Sequence, residues 1–177
     1  HLEKAVGLYP QYAAAWFDLG RVHEFKNNLP EARKAYEQAL AADAKFVSPY
    51  MQIAGLAARE QNWKGVLENT DRVLKLNPVD FPAAYYFNAV ANYNLRNLDG
   101  AEKSAREGLK ADTQHRFPKM SHLMGVILAQ KQDLAGAAQH MKKYLELAPN
   151  ANDASLVKSQ LAELERLMGQ TAAKPKQ

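Results

Sequence analysis

The feature that most constrains this chain is a piece of punctuation that returns four times. Asn28-Leu29, Asn62-Trp63, Asn97-Leu98 and Asp133-Leu134 follow one another at spacings of 34, 35 and 36 residues. Each places a side chain able to cap a helix directly before a large apolar residue, and three residues later stands a smaller one: Ala32, Val66, Ala101 or Ala137. An Asn or Asp there accepts a hydrogen bond from an unpaired N–H of a helix's first turn. A small side chain one turn on lets a partner helix approach closely. Each occurrence therefore marks the second helix of a pair. A fixed period of this length predicts a solenoid, whose helix pairs pack on their neighbours and gain stability along the stack.

The repeats run over residues 13–46, 47–81, 82–117 and 118–151. Trp16 corresponds to Tyr50 and Leu19 to Ile53, while Phe81-Pro82 and Phe117-Pro118 correspond across the later pair. Proline in a first helical turn forfeits no hydrogen bond, so both prolines mark helix starts. The additional residues fall in loops after the second helices, where insertions disturb little packing. Residues 1–10, with Ala5, Val6, Leu8 and Pro10, read as the second helix of a preceding repeat whose first helix is missing. Such an orphan helix would expose an apolar face, and the chain looks cut from a longer protein. Residues 153–168 carry Leu156, Val157, Leu161, Leu164 and Leu167 at helical spacing, as a capping helix requires. Gly169 is placed to stop it, and residues 170–177 read as a disordered tail, so the solenoid is assigned to residues 1–169.

Composition narrows the functions open to such an array. The net charge of +4 arises from 23 basic and 19 acidic residues that are interleaved, without a basic stripe, so no nucleic-acid partner is expected. No window approaches the roughly 18 consecutive apolar residues of a membrane span. A soluble protein without membrane insertion is expected, and the absence of Cys suits cytoplasm or periplasm alike. The five histidines show no i, i+4 pairing; His115 and His122 are separated by Pro118. No phosphate-binding glycine loop, nucleophile elbow or thiol nucleophile is present. The expectation is a non-enzyme without cofactor or metal.

The repeated residues resemble the tetratricopeptide repeat family, whose pattern is a large aromatic, Leu-Gly, Ala, an aromatic, Ala and Pro. The first repeat reads Trp16, Leu19-Gly20, Ala32, Tyr36, Ala39. The second reads Tyr50, Ile53-Ala54, Val66, Val73, Pro78, and the fourth Met124-Gly125, Ala137, Met141, Tyr144, Pro149. The third fits at Tyr85, Ala89, Ala101, Ala105 and Leu109 but sets Asn88 and Asn92 where apolar residues are usual; both are read as structural hydrogen-bonding groups, with a polar contact to a ligand as the alternative. The resemblance implies an all-α, right-handed solenoid of four helix pairs, with the orphan helix before it and the cap behind it.

In this family the first helices line a concave groove that holds a protein or peptide. Carried onto this chain, the groove positions are Phe17, Arg21, Glu24 and Phe25; Met51, Gln52, Gly55 and Arg59; Tyr86, Val90, Tyr93 and Asn94; and His122, Val126 and Gln130. A large anchor fully buried by a partner contributes about 1.5–3 kcal/mol. Gly55 is read as allowing close helix packing in preference to close ligand approach. Where some relatives clamp an acidic chain terminus with several cations, this chain offers Arg21 alone among Phe17, Gly55, Tyr86 and Val90, too few donors for that role. The resemblance implies a protein-interaction module, of bacterial character, binding an extended or helical segment. Its rivals are a spacer or homo-oligomerising segment of an envelope or secretion assembly, joined through the N-terminal helix, and a substrate-positioning appendage of an enzyme.

Overall fold

The computed structural model describes residues 1–172, and among these the chain is all-α, with ten helices and no strand. They are α1 (Leu2–Leu8), α2 (Ala13–Phe25), α3 (Leu29–Ala42), α4 (Val47–Arg59), α5 (Trp63–Leu76), α6 (Pro82–Asn94), α7 (Leu98–Ala111), α8 (Lys119–Gln130), α9 (Leu134–Leu147) and α10 (Ala154–Ala172). They fall into two compact halves, residues 1–91 and residues 92 onward, with the boundary inside α6. α10 continues through Gly169 to Ala172, three residues into the stretch read as a tail; the rest of that stretch lies outside the described residues.

Local chemistry explains the helix pairs. Each predicted cap does precede a second helix, and immediately before it stands a residue in the left-handed region: Asn27, Gln61, Arg96 and Gln132, with φ of 60°, 56°, 63° and 67°. That reversal folds the two helices of a repeat back on each other. The caps themselves differ. Asn62, Asn97 and Asp133 accept from the backbone N–H of Gly65, Gly100 and Gly136 at 3.1, 3.1 and 2.9 Å. A Cβ on any of these glycines would come within 2.4–2.7 Å of the capping side chain. Asn28 faces Glu31 at the same step and makes no side-chain cap, so the capping bond occurs where glycine makes room for it.

Packing in the first half is built from small and large residues in apposition. Ala32, Tyr36, Ile53 and Leu56 form one buried cluster, and Ala57, Val66 and Ala91 another. Val6 of α1 is buried against Ala15, Leu19 and Ala35, so this residue of the orphan helix turns inward rather than presenting an apolar face, although Leu8 is exposed. In the second half Met124, Ile127, Met141, Tyr144 and Val157 are buried. Asn88 and Asn92 are buried as well. Asn88 Nδ2 donates to Thr70 Oγ1 at 2.9 Å and to Asp71 Oδ1 at 2.8 Å, and Asn92 Oδ1 accepts from Asn97 Nδ2 at 2.7 Å.

Candidate peptide-binding clefts

In the first half, the 3.6-residue period of α2 and α4 sets Arg21, Glu24, Phe25, Gln52 and Arg59 around one open cleft of about 360 Å³. All five are groove positions in the sequence reading. Glu24 organises the cleft: its Oε2 accepts from the Tyr36 hydroxyl at 2.9 Å, and its Oε1 pairs with Arg59 Nη2 at 2.9 Å. Burial, and then the Glu24 hydrogen bond, raises the Tyr36 phenol above its ordinary range, so it remains a donor that holds the carboxylate. Arg21 lies 3.6 Å from Asp18 with both side chains exposed, a contact that constrains it little. Phe25 is 93% exposed.

Five groove positions in this half lie elsewhere. Phe17 packs inward, its ring 5.6 Å from Tyr36 and 5.1 Å from Phe46; it stands one turn before Arg21 and two before Glu24 on the same face of α2, and these rings cover it there. Met51 is half-buried and does not line the cleft. A Cβ on Gly55 would meet nothing within 4 Å, so helix packing does not require this glycine, contrary to its sequence reading. Tyr86, set edge-on to Phe87 at 6.0 Å, and Val90 are half-buried and line neither this cleft nor the next.

In the second half Tyr93, Val126 and Gln130 line a cleft of about 510 Å³, within the range of ligand pockets. Ala129 and Met141 complete its apolar floor. Its far wall is Ser159, Gln160, Glu163 and Leu164 of α10, which sequence reasoning treated only as a cap. The apolar stripe of α10 was visible in the sequence, and Gln160 and Glu163 lie beside it. Glu163 is gripped by Arg166 through bonds of 2.8 and 2.6 Å, which hold its carboxyl below the usual range. The cleft therefore offers amides and a hydroxyl around an apolar floor, with its one carboxylate already paired. Asn94 is exposed at the end of α6.

His122 departs from the groove expectation. Its ring stacks on Tyr144 with centroids 5.2 Å apart, and its Nε2 lies 3.0 Å from Gln160 Oε1, so α10 engages the side chain a partner would have met. The same seam contains Asp153, which accepts from the Tyr144 hydroxyl; that bond holds its carboxyl below the ordinary range. A carboxylate with a depressed folded-state pKa stabilises fully above the ordinary carboxylate pKa and loses that contribution as pH falls through the depressed value. The protection of the α10 amides, taken as exchange relative to the intrinsic rate at each pH, should therefore fall between pH 7 and pH 3 in the parent chain. Asp153→Asn should show weaker protection at pH 7 and a flatter acid limb.

Among the described residues no helix is long and apolar enough to cross a membrane. Residues 1–60 match the tetratricopeptide repeat family. No curated protein matches the chain in sequence. By fold it is similar to PilF of Pseudomonas aeruginosa, with a TM-score of 0.79 at 16% identity over 97% of this chain and 77% of that one. It is similar to MamA, with a TM-score of 0.78 at 16% identity over 90% and 86% of the two chains. YrrB, described as a tetratricopeptide protein with an unusual peptide-binding site, gives a TM-score of 0.76 at 23% identity over 89% and 80%.

Proposed function

We propose that the chain, whose residues 1–60 match the tetratricopeptide repeat family, is a protein-interaction module that holds a peptide segment of a partner in the second half, beside α8 and α10. The observation that carries this reading is the second cleft. It is concave, apolar at its floor, and rimmed by Gln130, Ser159 and Gln160, groups that both donate to and accept from a peptide backbone. The side chains are set on helices, so the partner bears most of the ordering entropy. No charge is free in the cleft to select an acidic or basic ligand. The segment it suits is therefore uncharged, with an aliphatic side chain for the floor formed by Val126, Ala129, Met141 and Leu164. The peptide site of YrrB supports the class of ligand.

Selection from a displayed peptide library tests the proposal. Peptides enriched on the parent chain should share an aliphatic residue among uncharged neighbours. They should bind Tyr93→Ala/Gln130→Ala at least about tenfold more weakly, a loss of roughly 1.4 kcal/mol, with helicity and thermal midpoint unchanged. Enriched peptides that bind parent and variant equally would remove the cleft as the site.

A further inference from the structure

The polar groups that line the second cleft are of two kinds, those free to turn and those already turned. On α8 and the turn after it, the side-chain amides of Gln130 and Gln132 make no hydrogen bond among the described residues, so each can donate or accept as a ligand requires. The α10 wall differs. Ser159 Oγ donates its hydrogen to Ser155 O at 3.1 Å, which leaves its lone pairs to offer. Gln160 Oε1 lies 3.0 Å from His122 Nε2, and against an amide oxygen that ring nitrogen carries the hydrogen. The carbonyl end of Gln160 is thereby engaged, while the N–H groups at its other end make no bond among the described residues. Two adjacent residues of one helix thus present an acceptor and then a donor.

His122 is itself held from several sides. Its ring stacks on Tyr144, its Nδ1 lies 3.8 Å from Asp153 Oδ2, and Asp153 in turn accepts from the Tyr144 hydroxyl. It stands one turn before Val126 on α8 and does not line the cleft. An imidazole packed in this way has one place to put its Nε2–H, and that place is Gln160. A long side chain that a ligand must order costs affinity, and here the ordering is done beforehand.

On the reading that the second cleft holds a peptide, we propose that His122 is a positioning residue for it. Acting through Gln160, His122 sets the hydrogen-bonding polarity of the α10 wall, which meets a backbone carbonyl at Gln160 and a backbone N–H at Ser159. Free groups of both kinds side by side belong to an extended segment. A helical segment spends its interior N–H and C=O groups on its own turns, so it would cover the Gln160 N–H groups and Ser159 Oγ without satisfying them. The cleft therefore selects an extended segment over a helical one.

The orientation can be tested without a ligand. A long-range proton–nitrogen correlation spectrum in alkaline buffer should show the His122 ring protonated at Nε2; protonation at Nδ1 would turn the Gln160 amide round and overturn the proposal. Peptides selected on the parent chain test the rest. His122→Leu should weaken them about fivefold, the cost of leaving one long side chain for the ligand to order. His122→Gln keeps an N–H donor at the same reach and should restore them. Gln160→Glu keeps the oxygen that His122 holds but replaces the donor with an acceptor, so affinity should fall at least about tenfold. Peptides that still require Tyr93 and Gln130, yet bind the His122→Leu or Gln160→Glu chain as tightly as the parent, would overturn the positioning role and leave the cleft standing. A selected peptide that becomes helical on binding, seen by transferred nuclear Overhauser effects, would overturn the preference for an extended segment. Peptides indifferent to Tyr93→Ala/Gln130→Ala, or no enrichment at all, would remove the cleft and this role together.

Discussion

Gly20→Ala should destabilise the chain by about 2 kcal/mol, although alanine is the better helix former by about 1 kcal/mol. The added Cβ would lie 2.5 Å from Cδ1 and Cε1 of Tyr36. That ring has nowhere to go: it is fully buried, packed by Phe17, and anchored through its hydroxyl to Glu24. The same collision is written into the fourth repeat, where a Cβ on Gly125 would lie 2.8 Å from Met141 Cγ. In the second repeat the two positions hold Ala54 and Thr70, a larger residue on one side and a smaller one on the other. The repeats thus exchange volume between two positions. Gly20→Ala combined with Tyr36→Thr should accordingly lose less than the sum of the single changes, with a coupling of about 2 kcal/mol in a double-mutant cycle. Gly55→Ala is the control; its Cβ would meet nothing, and it should gain up to about 1 kcal/mol. Chemical denaturation followed by circular dichroism measures all four. A Gly20→Ala chain as stable as the parent would mean that the Tyr36 ring has room to shift.

Asn88→Leu should cost about 1–3 kcal/mol, even though Leu19, Ile53 and Met124 occupy the equivalent positions. The amide donates to Thr70 Oγ1 and Asp71 Oδ1, and its loss leaves a fully buried hydroxyl oxygen without that donor. Thr70 still donates to Val66 O at 2.8 Å, so the cost stays below that of a wholly orphaned group. Thr70→Val with Asn88→Leu removes both partners, and the pair should recover most of the stability lost by the single change. Failure of the double variant to recover would move the cost from the hydrogen bond to the shape of leucine at the site.

The repeat, its period and the turn of each pair were legible because they are local. A cap followed by an apolar residue, and a small residue one turn on, act through the backbone of their own helix. The cleft of the first half was legible for a related reason: Arg21, Glu24 and Phe25 lie within two turns of one helix, and Gln52 and Arg59 within two turns of another. Periodicity alone did not locate Phe17, since it shares a face of α2 with Arg21 and Glu24 and is covered by the ring of Phe46, which comes from a loop.

What the amino-acid order determined by itself is the unit: two helices, a cap that opens the second, and a small residue one turn on that lets them approach. What only the tertiary structure decided is which faces are left open. α10 became a wall of the second cleft and took His122 from it, because a helix's stripe shows that it packs but not on what. α1 turned Val6 inward, because a helix's burial depends on which neighbour it meets.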